Sequence, residues 1–326
     1  MSSSNITRVG RSRWRRALRI AGIVLGAILA LTVVSTAANA TATAAERSAF
    51  VPYGETVTLA NGDINVVRNG GTGPTMVFLS GFGTVAPGID FAPLMRELDA
   101  FDVIIIEGFG YGLSDLDVPD RTIENITSEI HEVLGRLGVT SPVILVGHSI
   151  GGLYTHYYAN AYPGEVSAIV GIDPMTAMSS SLEVGTPSTV EGTLATIGLV
   201  RWVTAVAPDI VQPPGTAYTD AERAQIATLT NWNYGAASLA DEWSRLGANS
   251  TMAAETPLPA DVPVLQILSS ESVDMDPDWL KNHQTEIAGV TVHELDTLEG
   301  AHYLHWTQSA ALARTISHFI STNATN

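Results

Sequence analysis

Residues 143–159 read VILVGHSIGGLYTHYYA: an apolar run ends in Gly147-His148-Ser149-Ile150-Gly151, and a helix-like run follows at once. A G-x-S-x-G pentapeptide between a strand and a helix is a nucleophile elbow. The turn is strained, so the residues around the Ser must be small, and Gly147, Gly151 and Gly152 meet that need. The hydroxyl projects above the sheet edge, and the next helix aims its first N–H groups at developing negative charge. A Ser hydroxyl is a weak nucleophile until an imidazole can take its proton. The pattern therefore calls for a His, and a carboxylate to orient it, elsewhere in the chain.

The elements around the elbow alternate. A hairpin is expected over residues 55–69, two short alternating runs about Asn61-Gly62-Asp63. Apolar strands at TMVFLSG, DVIIIEGFGYG, PVILVG, VSAIVGID, DVPVLQILSS and VTVHEL are separated by helix-period segments. One of these has apolar residues at 123, 126, 130, 133, 134 and 137, with Thr122 as its N-cap. Continuous apolar strands between helices predict an α/β fold, a mostly parallel sheet covered by helices on both faces.

The rhythm stops after Asp173 and resumes near Val262. We read residues 51–173 and 262–326 as one core and residues 174–261 as a helical lid inserted at a strand's C-terminal end, where open α/β sheets bind ligands. Trp232 and Trp243 of that lid are expected over the site.

The N-terminus is a separate module. Six Arg precede residue 20, no acidic residue appears before Glu46, and residues 20–40 carry no charge and end in Ala38-Asn39-Ala40. A basic flank, an apolar run and A-x-A fit an export signal. The run is also about the ~20 residues that span a bilayer. Residues 1–40 are thus a signal peptide or a membrane anchor, and residues 41–50, rich in Ala and Thr, read as a linker. The body is exported, either secreted or held at the outer face of the cytoplasmic membrane. Arg15-Arg16 makes a weak twin-arginine match, and the sequons at Asn5, Asn125, Asn249 and Asn323 are short chance matches.

Composition narrows the chemistry. Past the N-terminal cluster, 10 basic residues face 33 acidic ones, so nucleic acid is not an expected partner. The chain has no Cys, which removes disulfides, thiolate metal sites and a Cys nucleophile together.

Over roughly residues 55–321 the chain resembles the α/β-hydrolase family. VFLSGFG stands where that family has a strand ending in His-Gly, here Ser80-Gly81. EGFGYGLSD, residues 107–115, is similar to its acidic, Gly-rich turn, and LEGAHYLHW, residues 298–306, to the loop carrying its catalytic His. The resemblance implies oxyanion N–H groups at Phe82 and Ile150. It implies His302 as the base, ahead of His148 beside the nucleophile and of His305 one turn on. The acid departs from the family's pattern. Ser272 falls about where an Asp is expected, with Glu271 one residue before and Asp274 two after. Asp173, at the end of AIVGID, is the rival and the preferred acid, because the pancreatic-lipase branch takes its acid from that strand tip. Glu271 stays the alternative, with Asp274 behind it.

A Ser nucleophile argues against the dehalogenase and epoxide-hydrolase relatives, which use Asp. The expected activity is a serine hydrolase, a carboxylesterase or lipase. It would cleave a hydrophobic ester, thioester or lactone through an acyl-enzyme, with no cofactor and no metal. An acyltransferase or lyase on the same fold, and a binding protein without catalysis, are the competing readings.

Overall fold

The structure, a computed structural model, describes residues 6–177 and 190–323. The sequon at Asn5 and residues 178–189 of the insertion lie outside them. Eight strands form one sheet: β1 (Glu55–Leu59), β2 (Gly62–Arg68), β3 (Thr75–Leu79), β4 (Asp102–Glu107), β5 (Val143–His148), β6 (Val166–Ile172), β7 (Val264–Ser269) and β8 (His293–Leu298). Their order is β1-β2-β4-β3-β5-β6-β7-β8. The β1/β2 hairpin enters antiparallel and β2 pairs antiparallel with β4, whereas every pairing from β4 to β8 is parallel. The first helix is α1 (Ile6–Ala49). The core helices are α2 (Pro87–Asp90), α3 (Ala92–Glu97), α4 (Ile123–Arg136) and α5 (Gly151–Ala161). The insertion holds α6 (Val190–Thr196), α7 (Leu199–Val206), a 3-10 turn at Pro208–Ile210, α8 (Asp220–Asn233) and α9 (Ala237–Ala254). The core resumes with α10 (Ser270–Met275), α11 (Trp279–Ile287), α12 (Leu304–Thr307) and α13 (Ser309–Asn323).

The apolar strands β3 to β7 are buried on both faces because their side chains alternate between two packed layers, whereas β8 is an exposed edge strand. Along β3, Val77 and Leu79 join Ile130, Val133 and Leu153 of α4 and α5, and Met76 and Phe78 join Phe319 and Ile316 of α13. The periodic segment at 123–137 forms α4, and the Thr122 hydroxyl accepts from the Asn125 N–H at its start. Between residues 190 and 254 the insertion is mostly helical and has no strand, with α6 to α9 joined by turns and by the irregular stretch 211–219.

The expected linker is not one. Residues 41–49 continue α1 without a break. Ala is the strongest helix former, and this part of the helix gains partners on the insertion. Ser35 donates to the Ile197 carbonyl at 2.6 Å, and the Asn39 amide to the Ala195 carbonyl at 3.0 Å. Arg201 forms an ion pair with Glu46 and donates to Asn39 Oδ1 at 2.9 Å. Trp232 faces this helix rather than the sheet edge. Its indole donates to Glu46 at 2.9 Å, and its ring packs on Phe50 at 5.0 Å. Residues Trp14–Ala49 are long and apolar enough to cross a membrane, and their apolar side chains are exposed, Leu25 at 68% and Leu31 at 69%.

Candidate active site

Ser149 sits between β5 and α5 with φ of 52°. A non-Gly residue holds that conformation only where its surroundings over-determine it. Here they do. A Cβ on Gly147 would lie 2.6 Å from the Gly151 backbone, and one on Gly151 2.6 Å from the Leu79 carbonyl. Strand and helix pass too closely for any side chain at either position. The Ser149 carbonyl also accepts from the Met175 N–H at 2.7 Å, which ties the elbow to the chain leaving β6.

Asp173 is the first residue of that departing chain. The β5/β6 register pairs His148 with Ile172, so Ser149 and Asp173 leave adjacent strand tips together. Asp173 also has positive φ, 42°, and is fully buried. A buried carboxylate needs partners, and this one has four. Its Oδ2 accepts from His302 Nδ1 at 2.6 Å and from the Ser272 hydroxyl at 2.5 Å. Its Oδ1 accepts from the Trp279 indole at 3.0 Å and from the Ser269 N–H at 3.0 Å. Burial pushes the carboxyl up, but the His302 ring, the Ser272 hydroxyl and the Ser269 N–H outweigh it and hold the group below its usual range.

His302 is partly exposed, and with Nδ1 engaged its Nε2 is the nitrogen left to accept a proton. Its ring lies beside that of His148, with centroids 4.7 Å apart. His148 Nε2 donates to the His302 carbonyl at 3.2 Å, so the residue preceding Ser149 holds the loop that carries His302. The Ser149 hydroxyl makes no hydrogen bond among the described residues. The N–H groups of Phe82 and Ile150 likewise have no hydrogen-bond partner among the described residues, so both are free to donate.

Glu271 and Asp274 are not brought to His302. Both are exposed on α10, which begins straight after β7. Ser269 caps that helix by accepting from the Ser272 N–H, and the turn aims the Ser272 hydroxyl at Asp173.

Sequence reasoning missed the groups that hold the site from a distance. Ser272 and Trp279 lie far along the chain from Asp173; the sequence marks Ser272 only as the place where an Asp is expected, and no local pattern marks Trp279. A second Asp–His pair was also missed. His305 Nε2 meets Asp90 Oδ2 at 2.5 Å, and Asp90 also accepts from the Trp306 indole at 2.7 Å. The buried His305 ring packs on His148 at 4.9 Å. Burial, and then the His305 and His302 rings, hold the His148 imidazole well below its ordinary value, so it stays neutral.

A cavity of about 520 Å³ opens beside Phe82, lined also by Val85, Asn233, Tyr234, Leu239 and Trp243. Trp243 packs on Phe82 with ring centroids 4.8 Å apart. Its neighbour Glu242 pins α9 to the core, accepting from the Tyr111 hydroxyl at 2.6 Å and from Tyr154.

Comparison with known proteins agrees with this architecture. A profile described as the Alpha/beta hydrolase family matches residues 76–315. The uncharacterized protein YbdG of Bacillus subtilis (strain 168) is 24% identical over 254 residues, 74% of this chain and 78% of that protein. Lipase LipV of Mycobacterium tuberculosis is 33% identical over 119 residues, 36% of this chain and 44% of the lipase. Among solved structures, ALR0039 from Nostoc sp PCC 7120 superposes with a TM-score of 0.68 at 15% identity, covering 82% of this chain and 97% of that one. Epoxide hydrolase VrEH1 from Vigna radiata gives 0.62 at 18% identity, covering 82% and 97%. At such identities the superpositions speak for the fold alone.

The chain belongs to the alpha/beta hydrolase family. Its sequence relatives include lipases, epoxide hydrolases share its fold, and it is a hydrolase-fold enzyme of that superfamily.

Proposed function

We propose that the protein is a serine hydrolase that cleaves a carboxylic ester, thioester or lactone with a hydrophobic acyl or alcohol part. The observation that carries this is the Asp173–His302 hydrogen bond at 2.6 Å, on the strand tip next to Ser149. Ser149 Oγ attacks the carbonyl carbon, and its proton passes to His302 Nε2. Asp173 fixes the ring's tautomer and stabilises the imidazolium. The Phe82 and Ile150 N–H groups receive the oxyanion. His302 returns the proton to the leaving group, and the acyl-enzyme forms. Water, deprotonated by His302, then attacks the acyl carbon and releases the acid.

The cavity beside Phe82 and Trp243 suits an apolar chain extending from that carbonyl, and the helical insertion acts as its lid. The elbow position carries Ser149, not an Asp, and Asp173 is engaged with His302 Nδ1, which separates this reading from the epoxide hydrolases of the same fold.

The body is held outside the cytoplasmic membrane by α1, with its Arg cluster inside. The A-x-A site lies within unbroken helix, and Ser35 and Asn39 bond the insertion, which supports a retained anchor over a cleaved signal.

A panel of p-nitrophenyl esters of graded chain length tests the activity, with added alcohol to detect acyl transfer. Hydrolysis favouring apolar chains is expected. Transfer that outpaces hydrolysis would make the enzyme an acyltransferase. Absence of turnover, with no fluorophosphonate labelling, would make it a binding protein.

A further inference from the structure

On α7, Leu199, Trp202, Val203 and Val206 recur at i, i+3, i+4 and i+7, which is one face of a helix, and Ile210 adds an apolar side chain on the 3-10 turn that follows. Such a stripe ordinarily faces a core. Here it faces outward, with Trp202 59%, Val206 77% and Ile210 73% exposed, while Arg201 and Thr204 on the other side hold α1 and α8. The stripe is joined to α1. The Trp202 indole donates to Ser35 Oγ at 3.1 Å, and a Cβ on Gly198 would touch Asn39 and Ser35 at 3.0–3.1 Å.

The level of that joint identifies what covers the stripe. A span of ~20 residues crosses the hydrocarbon, so a helix whose apolar run starts at Ile20 leaves it near Ala40. Trp202 meets the helix five residues earlier, at the outer boundary, where indoles concentrate because one end is apolar and the other wet. A short amphipathic helix fixed at that depth lies in the plane of the interface.

We propose that α7 and the following turn are embedded in the outer interface of the bilayer that α1 crosses, so that the lid rests on the membrane. This rests on reading α1 as a retained anchor. The consequence is a route for substrate. Glu191, on α6 directly before α7, lines the same cavity as Phe82 and Trp243. An amphiphilic ester then leaves the bilayer beside α7 and enters the cavity without crossing bulk water.

The chain has no Cys, so one introduced Cys is a unique label site. Full-length V206C and I210C would carry an environment-sensitive fluorophore in vesicles of anionic and zwitterionic phospholipid, some bearing nitroxides near the headgroup. T291C, exposed two residues before β8 at the edge of the sheet where the parallel strands begin, opposite the edge from which the helical insertion leaves β6, is the reference. Intact mass establishes whether α1 is retained. We expect shallow lipid nitroxides to quench labels at 206 and 210 severalfold more than at 291. With α1 retained, labels at 206 and 210 that are open to aqueous iodide and unquenched by lipid overturn the proposal and leave the anchor standing. Labels shielded from both quenchers mean that a second protein chain covers the stripe, which also overturns it. A mature chain lacking α1 overturns the anchor reading, and the proposal with it. As a functional arm, V206E should lower kcat/KM on a long-chain ester carried in vesicles at least tenfold while leaving p-nitrophenyl acetate unchanged. Equal effects on both substrates would contradict the route.

Discussion

Ser272 donates its hydroxyl to Asp173 Oδ2 at 2.5 Å. Ser272 stands about where the resembled family carries its catalytic acid, and Asp173 stands on the neighbouring strand tip. The two acid positions of the fold therefore touch, and in this chain the carboxylate occupies one while a hydroxyl supports it from the other. Asp173→Asn should lower turnover by about 10⁴-fold, the scale seen when a triad acid becomes an amide, whereas Glu271→Gln should leave it within about twofold. Adding Ser272→Asp to Asp173→Asn should recover at least tenfold. Steady-state kinetics on one soluble ester measures all three. A large loss in Glu271→Gln would move the acid to α10.

Asp173 also predicts an acid limb of stability. Its folded pKa is held below its unfolded value, about 3.9 for Asp. The unfolded chain therefore binds the proton more readily. The stabilisation is full above about pH 4 and is lost as pH falls through the folded value. Thermal unfolding of wild type and Asp173→Asn between pH 6 and pH 2.5 should give a Tm difference that shrinks on the acid side. A difference that stays constant would mean that the carboxylate titrates as in the unfolded chain.

His148 should act in a higher window. Buried against His302 and His305, it is neutral in the folded protein and titrates near 6.5 when unfolded. Its contribution is full above about pH 6.5 and declines as pH falls below. His148→Gln retains a donor for the His302 carbonyl but cannot be charged in this range. The variant should flatten the Tm profile between pH 6.5 and 5, and an unchanged slope there would contradict this assignment.

The two lid tryptophans should separate. Trp243 lies against Phe82 in the cavity, whereas Trp232 lies against α1. Trp243→Ala should weaken long-chain esters at least tenfold more than acetate, in line with the ~1.5–3 kcal/mol of a buried apolar side chain. Trp232→Ala should lower Tm with little change in chain-length preference. A chain-length effect at Trp232 equal to that at Trp243 would contradict this placement.

What the sequence made legible was local. The two glycines flanking His148-Ser149-Ile150, the stripe from Ile123 to Leu137 and the apolar strands follow from spacing alone, and each forms the element expected except VTVHEL, where β8 begins three residues later, at His293, on the exposed edge of the sheet. Asp173 could be proposed because its strand delivers it to the sheet edge. The rest depends on contacts between distant residues. Ser272 and Trp279 reach Asp173 across 99 and 106 residues, and His305 reaches Asp90 across 215. Residues 41–49 have a linker-like composition, yet they are helical because Arg201 and Trp232 of the insertion pack on them. Trp232 was expected over the site for want of any sign that α1 would claim it.

The central claim is that Ser149 is a nucleophile driven by His302 and Asp173. Its most direct test is the rate of adduct formation with a fluorophosphonate, followed by intact mass, with the adduct mapped by peptide sequencing. The account predicts one adduct per chain, on Ser149. It should be absent in Ser149→Ala and at least 10³-fold slower in His302→Ala, with all three proteins sharing one circular dichroism spectrum. An adduct on another residue, or an undiminished rate in either variant, would contradict it.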